Sequence, residues 1–557
     1  MGKYRIYIVF VLIFVLGLFL RFYNLSTVPN GLQQDESSIG YNAYSILETG
    51  RDEYGKYLPA SFKAFGEYKL PLSIYLTTVS FAVLGVSEFS LRLPSALFGV
   101  LTVGLMYFLG YLLFNKKSIG LIAMGFFAIN PWHIHFSRGA YEVTPALFFI
   151  TLGFLLFILF INKNSIILLS SSLAAFALSI YGYNISRTFV PFFLILLFII
   201  FYKKIIKLKR RLIIPIVLSA LLLLPFGLTL FTSGGYDSVK GTLIPTSAVV
   251  QASNLETRSY ITDQNPLIAK LFFNKASSDV ISYSKNVTSY ISGDFLFGTG
   301  SKHGNHGIGN VGQFYIWEIL TIIVGIVFLI RSSNKYKVIV FGWVAGIILI
   351  ASLTREAPQA TRSFFMVIPF AFLSSYGALN IYEKIISWPR KINIVMLFGC
   401  FFSIIFMFFY YFASYFYKFP IQYAKEYRSE DKELTRQLQE IDGNYDEIFI
   451  DNQAGVLYSS IVFYSKFSPS DFQKSVTRAM DDSEGFSRVV SFGKYQYINP
   501  ESINTDAKYL LISNVEKPGF KVVGKIFYPK RPVVIAKGQD IVSFPVTDIA
   551  YVLLEKN

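Results

Sequence analysis

The chain has 557 residues, of which 53% are hydrophobic, 17% aromatic and only 15% charged, with a mean hydropathy of +0.47. A soluble protein of this length cannot hide so much apolar surface, so the composition excludes an ordinary soluble globule and points to a polytopic membrane protein. The formal net charge is +16, but the basic residues cluster in short segments between apolar runs, which argues against a nucleic-acid partner.

No Walker A pattern, zinc-type Cys/His spacing or Rossmann glycine fingerprint is present, so no nucleotide cofactor is expected. Residues 1–22 have the charge order of a signal peptide without a small-residue cleavage site, and read as a retained first span. Apolar runs at 6–22, 92–113, 118–131, 143–161, 165–182, 189–202, 212–231, 314–330, 337–353, 364–381 and 392–416 predict about eleven crossings, several short for a hydrocarbon core ~30 Å thick. The connections at 115–117, 162–164, 202–211, 331–337 and 383–391, with Lys3 and Arg5, are basic and contain one acid, Glu383. The positive-inside rule makes them cytoplasmic, in the cell's cytoplasmic membrane, with the N-terminus inside and the C-terminus outside. That assignment closes only if the run at 70–86 does not cross and lies in the interface as an amphipathic or re-entrant helix.

The chain changes character after residue 417. Segments 445–452, 507–513, 520–529 and 548–557 read as strands, and 429–441 as a helix with Ser429 as N-cap. The expected organisation is a helical membrane domain over 1–417, with exterior loops 23–91 and 232–313, followed by a small extracytoplasmic α/β domain over 418–557. The single cysteine, Cys400, lies in an apolar run, so no intramolecular disulfide holds that domain.

With this orientation the unusual polar residues all fall outside. The first loop carries Asp35, Glu36, Glu48, Asp52, Glu53, Glu67 and Lys69; "NPWHIHFSRGAYEVTP" (130–145) holds His133, His135, Arg138 and Glu142; Arg187 follows "YGYN"; and "TREAPQATRS" (354–363) brings Arg355, Glu356 and Arg362. A charge within the bilayer costs ~2.5–3.5 kcal/mol even on lenient scales, so charges at span ends tend to face a cavity or a partner. Arg138, Glu142 and Arg362 are so placed, as if lining one outward polar chamber roofed by the first loop.

Carboxylates and arginines at an outer membrane face, where nucleotide-activated sugars are absent, suit transfer of a group from a lipid phosphate. A carboxylate takes the proton of the attacking acceptor hydroxyl, and cations or a metal stabilise the departing phosphate. Neighbours in a helix diverge by about 100°, so one member of the Asp35–Glu36 pair is expected to point at substrate. We assign Asp35 as the base and Glu36 as its positioner. The plainer reading is that both acids favour the N-terminus of an interfacial helix.

An acidic pair after the first span, a "KLPL" segment entering an interfacial helix, and "HFSRGAYE" after the third span occur in that order. This order resembles the GT-C superfamily of polyprenyl-phosphate-dependent glycosyltransferases, in its branch of protein O-mannosyltransferases and lipid A aminoarabinose transferases (bacterial family-39-like), over about residues 1–420. The resemblance implies a GT-C fold, an inverting transfer, and a polyprenyl-phosphate sugar as donor, with a protein, lipid or glycan as acceptor. It implies Asp35 as catalytic aspartate, "DE" as the acidic pair, and Lys69, Arg138 and Arg362 as donor-phosphate contacts. Glu142 resembles the acid that follows the arginine motif, one residue closer than usual. The glutamate that helps bind a divalent metal in some relatives is displaced: Tyr68 occupies its place and Glu67 lies one residue back. Glu67, Glu142, His303 and His306 stand as supporting or metal-ligand candidates, the last two in a segment (293–315) similar to the loop before a late span of bacterial members.

Two other classes stay open. A flippase of lipid-linked saccharides would use the same charges, although such transporters tend to show inverted repeats and midplane charges. A ligase or polymerase using polyprenyl diphosphate would share the exterior arginines.

Overall fold

The computed structural model describes residues 3–64, 68–230, 248–301, 303–354, 356–482, 486–537 and 540–556. Glu67 and Arg355 lie outside the described residues, as does 231–247 at the start of the expected second exterior loop. The helices up to residue 230 are α1 (Lys3–Phe22), α2 (Gln34–Thr49), α3 (Pro71–Leu84), α4 (Glu88–Phe114), α5 (Lys117–Ile129), α6 (Pro131–Phe136), α7 (Val143–Lys163), α8 (Ile166–Ile180), α9 (Ser186–Ile206) and α10 (Ile213–Leu230). Later apolar helices are Glu318–Arg331, Lys337–Ala351, Val367–Ile385 and Arg390–Ala413. Every apolar run read from the sequence therefore contains a helix among the described residues. Among the described residues seven helices are long and apolar enough to cross a membrane, and α5, α8 and Lys337–Ala351 are shorter apolar helices. The large side chains that stay exposed on Arg390–Ala413 (Phe398, Phe401, Phe402 and Phe406) are those a lipid-facing helix presents.

The chain divides into two compact units: one of Met1–Arg21, Leu97–Ser137 and Glu142–Tyr411, the other of Phe22–Ala96, Arg138–Tyr141 and Phe412–Asn557. The first unit is helical. Its helices Glu318–Arg331 and Val367–Ile385 touch backbone to backbone at Gly325 and Gly377, where any Cβ would run into the main chain opposite. Trp343 packs edge-on against Phe193 at 4.6 Å between ring centres and donates its indole N–H to the Phe365 carbonyl at 2.9 Å.

The second unit mixes helices and sheets. A hairpin of β1 (Phe62–Lys63) and β2 (Tyr68–Lys69) leads into α3, whose Pro71 opens the helix. α3 has 14 residues, about 21 Å long; it buries Ile74, Thr77 and Phe81 and exposes Val79, Val83 and Leu84. The remaining strands are β3 (Glu447–Asp451), β4 (Thr477–Arg478), β5 (Val489–Phe492), β6 (Tyr495–Ile498), β7 (Tyr509–Ser513), β8 (Phe520–Phe527), β9 (Arg531–Lys537), β10 (Asp540–Val546) and β11 (Ile549–Lys556). Seven of them form one sheet in the order β4–β5–β6–β3–β7–β11–β8, with β3 parallel to β6 and β7 and the other pairs antiparallel. The central β3 and β7 are buried almost throughout, as doubly covered strands are.

Ile39 and Tyr41 of α2 and Ile74 and Phe81 of α3 share one core with Leu434, Ile448, Phe463, Phe472 and Leu510. The connection over 23–91 belongs to the same compact unit as the C-terminal segment from Phe412 onward. Ser429 does precede a helix, Glu430–Ile441, yet its backbone is already helical and its side chain makes no capping bond. The four strands expected from the sequence are β3, β7, β8 and β11.

Candidate active site

The acidic pair opens α2, with Gln33 as N-cap, and its two members go opposite ways. Glu36 turns inward and is wholly buried. Its Oε2 accepts the Gln33 N–H at 3.3 Å, its Oε1 accepts the Ala140 N–H at 2.8 Å, and Arg92 meets both oxygens, Nε to Oε1 at 3.0 Å and Nη2 to Oε2 at 3.2 Å. A buried carboxylate is tolerable only when its charge and lone pairs are matched in this way. Arg92 spends its other donors on the carbonyls of Leu25, Pro29 and Gly31, so one ion pair fixes the turn leading into α2.

Asp35 turns outward. Its side chain is 60% exposed, and Oδ1 lies 3.0 Å from the Lys69 ammonium, which is itself 2% exposed. The β1–β2 hairpin delivers Lys69 to this spot. A buried lysine with its ammonium at an exposed carboxylate leaves one charged pair facing solvent beside the first turn of α2, where the helix dipole favours the negative charge.

The "SRGAY" stretch explains how the pair is held. Arg138 is fully buried and donates from Nη2 to the carbonyls of Tyr23, Asn24 and Val28 at 2.7, 3.3 and 2.9 Å. Its guanidinium lies over the Phe416 and Tyr415 rings, 4.7 and 5.7 Å from their centres. Gly139 has no room for a side chain, since a Cβ there would sit 2.6 Å from the Tyr141 ring and 3.4 Å from Glu36 Oε1. Tyr141 in turn shares a 2.8 Å hydroxyl contact with Tyr427, both buried. Arg138 thus clamps backbone in this structure, whereas the sequence suggested a phosphate contact.

A second polar cluster lies at the far end of α2. Glu53 is buried, accepts from Asn42 Nδ2 at 3.3 Å and from the Tyr458 hydroxyl at 3.2 Å, and its carboxyl is pushed up by burial. Arg478 stacks on the Tyr54 ring at 3.8 Å.

The remaining candidates belong to the helical unit. Arg362 lies on a short helical turn, Ala360–Ser363, with its Nη2 3.8 Å from Glu356 Oε2. His306 Nδ1 is 2.8 Å from the Thr361 hydroxyl, and the His303 and His306 rings are 6.5 Å apart, centre to centre. His135 contacts the Asn305 carbonyl at 3.3 Å. His133 is buried, with Nδ1 2.6 Å from Arg21 Nη2; arginine only donates, so Nδ1 is the acceptor. Glu142 is close enough to Arg187 to act on its charge. Among the described residues no three His, Cys, Asp or Glu side chains gather as a metal-binding group.

A family model described as "Dolichyl-phosphate-mannose-protein mannosyltransferase" matches residues 8–234. The fold is similar to that of ArnT from Cupriavidus metallidurans, with a TM-score of 0.52 and 13% identity over 82% of this chain and 84% of that one. The chain shares the fold of ArnT. A second structure of the same ArnT, bound to undecaprenyl phosphate, matches with a TM-score of 0.51, again at 13% identity, over 82% of this chain and 84% of that one. At such identity the likeness is one of fold. An uncharacterised protein of Aquifex aeolicus (strain VF5) is 28% identical over 199 residues, 34% of this chain and 38% of that relative's length, so the match spans well under half of that relative.

The sequence left Arg92, Ala140, Tyr141 and Tyr427 unmarked. Arg92 had a signal: it stands at the very start of an apolar run, where a lone charge needs a partner. The two tyrosines had none, being two among 37.

Proposed function

We propose that the protein transfers a sugar from a polyprenyl-phosphate donor to an acceptor hydroxyl at the outer face of the cytoplasmic membrane, with inversion at the anomeric carbon. The observation that carries the proposal is the division of the acidic pair. Glu36 is consumed by Arg92 and the Ala140 N–H, whereas Asp35 is exposed and ion-paired to Lys69. The family match, and an ArnT of similar fold bound to undecaprenyl phosphate, support the donor class.

In this reading Asp35 accepts the proton of the acceptor hydroxyl as its oxygen bonds to the anomeric carbon. The bond from that carbon to the phosphate oxygen breaks, and polyprenyl phosphate leaves with the electron pair. Lys69, 3.0 Å from Asp35, presents a positive charge to the leaving phosphate. Arg362, paired only loosely with Glu356, is the second candidate for the phosphate. Arg138 and Glu36 act at one remove, by fixing the backbone that carries Asp35. Inversion fits a single displacement with one base, and the outer-face assignment rests on the basic connections between spans. The acceptor is a hydroxyl of a protein, lipid or glycan.

The test is turnover by the purified full chain in liposomes, with polyprenyl-phosphate hexose as donor and a membrane extract as acceptor source. Release of polyprenyl monophosphate with label moving to an acceptor supports the reading. Turnover only with a diphosphate-linked glycan would make the protein a ligase. Movement of intact lipid-linked sugar without release would make it a flippase.

A further inference from the structure

The helical unit contains a cavity that the transfer reaction does not use. It lies where the α7–α8 turn meets the α9–α10 connection, and has a volume of about 580 Å³. Its lining is Asn164 and Leu208 together with five cations, Lys203, Lys204, Lys207, Lys209 and Arg211.

The local backbone explains the convergence. α9 is interrupted at Phe201 (φ −113°, ψ 17°), whose ring packs on Phe157 of α7 at 5.7 Å. That kink redirects the last turn of α9, with Lys203 and Lys204, toward the end of α7. Lys204 reaches the Ile161 carbonyl in the last turn of α7, satisfying one of the acceptors that every helix C-terminus leaves open. Asn164 closes α7 in the left-handed conformation, and Lys209 adopts it too (φ +46°), turning the chain back so that Arg211 faces the cavity from the other side.

None of the five cations has a carboxylate partner among the described residues, although lysines in other connections do: Lys116 pairs with Glu383 at 3.0 Å. Lys203, Lys207, Lys209 and Arg211 are exposed, yet they line one concavity with Lys204. Five like charges around one concavity repel one another, and an anion seated among them would relieve that repulsion. Ile199 and Ile206 of α9 and Ile213, Ile214 and Val217 of α10 are exposed and flank the lining residues in sequence.

We infer that this cavity binds the phosphate headgroup of an anionic membrane phospholipid, its acyl chains lying along the exposed aliphatic faces of α9 and α10. Phosphate oxygens suit ammonium and guanidinium donors arriving from several sides. The aliphatic flank selects an amphiphile over free phosphate, which would gain nothing from Ile206 or Ile213.

The test is native mass spectrometry of the full chain after reconstitution with mixed zwitterionic and anionic phospholipids. Wild type is expected to keep one anionic lipid in preference to phosphatidylcholine. The variant Lys203→Gln/Lys207→Gln/Lys209→Gln/Arg211→Gln should lose that preference at least tenfold, and Lys203→Arg/Lys207→Arg/Lys209→Arg should keep it. As a control for charge alone, Lys384→Gln/Arg390→Gln/Lys391→Gln should retain the lipid. Equal retention by the quadruple variant, or equal loss in the control, would overturn the site. Displacement of the lipid by inorganic phosphate as readily as by added anionic phospholipid would overturn the choice of ligand. If the quadruple variant does not fold, wild type decides: no preference for anionic over zwitterionic lipid rejects the proposal.

Discussion

Glu36 and Arg92 form a two-pronged ion pair with no exposure to solvent, 3.0 and 3.2 Å between its partnered atoms, and it anchors the helix on which Asp35 rides. Removing one partner strands the other. Glu36→Ala is expected to cost about 3–5 kcal/mol of stability, seen as a large drop in the thermal unfolding midpoint, whereas Asp35→Asn, at an exposed position, changes it little. Equal midpoints for Glu36→Ala and wild type would contradict the anchoring role.

Gly139 tests the same anchor from the other side. A Cβ there would lie 2.6 Å from the Tyr141 ring, so Gly139→Ala must push Tyr141 away from Tyr427 or shift the Ala140 N–H off Glu36. The expected loss is about 1–3 kcal/mol, with activity falling in parallel. Unchanged unfolding and unchanged turnover would show that the packing here yields freely.

Lys69 pairs with Asp35 at 3.0 Å from a nearly buried position. Lys69→Met should reduce donor turnover by about 100-fold or more, the scale on which charge stabilisers act, and Lys69→Arg should recover part of it. Steady-state kinetics decide: a rise in KM alone, with kcat intact, would reduce Lys69 to a binding contact.

The C-terminal segment carries a pH-dependent element. Burial, with the Asp431 charge adding to it, pushes the Glu430 carboxyl up to about 8 from an ordinary 4.5. The folded protein therefore holds a proton that the unfolded chain sheds earlier, so this contribution to stability is complete below about pH 4.5 and is lost as the pH rises toward 8. Glu430→Gln is neutral throughout. Its stability should match wild type near about pH 4 and exceed it near about pH 8.5, by up to roughly 4 kcal/mol. A constant difference across that range would assign the titration elsewhere.

Much of the fold was legible because membrane spans declare themselves by composition. Each apolar run holds a helix among the described residues, and the run at 70–86 holds the 14-residue α3. The C-terminal strands that were read are the central or long ones with β-branched residues. β4, β5 and β6 are only 2 to 4 residues each, too short for alternation to show.

The site was legible in its residues more than in their duties. Adjacent positions on a helix diverge, and here Glu36 is buried while Asp35 is exposed. The partner of the other acid, Arg92, lies 56 residues away, and no local pattern encodes a pairing at that separation. Arg138 shows the same limit: the charge was conspicuous, but the three carbonyls it satisfies are set by how the 23–28 turn folds.

The most direct test of the central claim is release of polyprenyl phosphate from a polyprenyl-phosphate-sugar donor by reconstituted wild type and Asp35→Asn, each checked for an unchanged unfolding midpoint. The account predicts release by wild type and almost none by Asp35→Asn, with donor binding preserved in both. Equal release by the two proteins would contradict it and move the base away from Asp35.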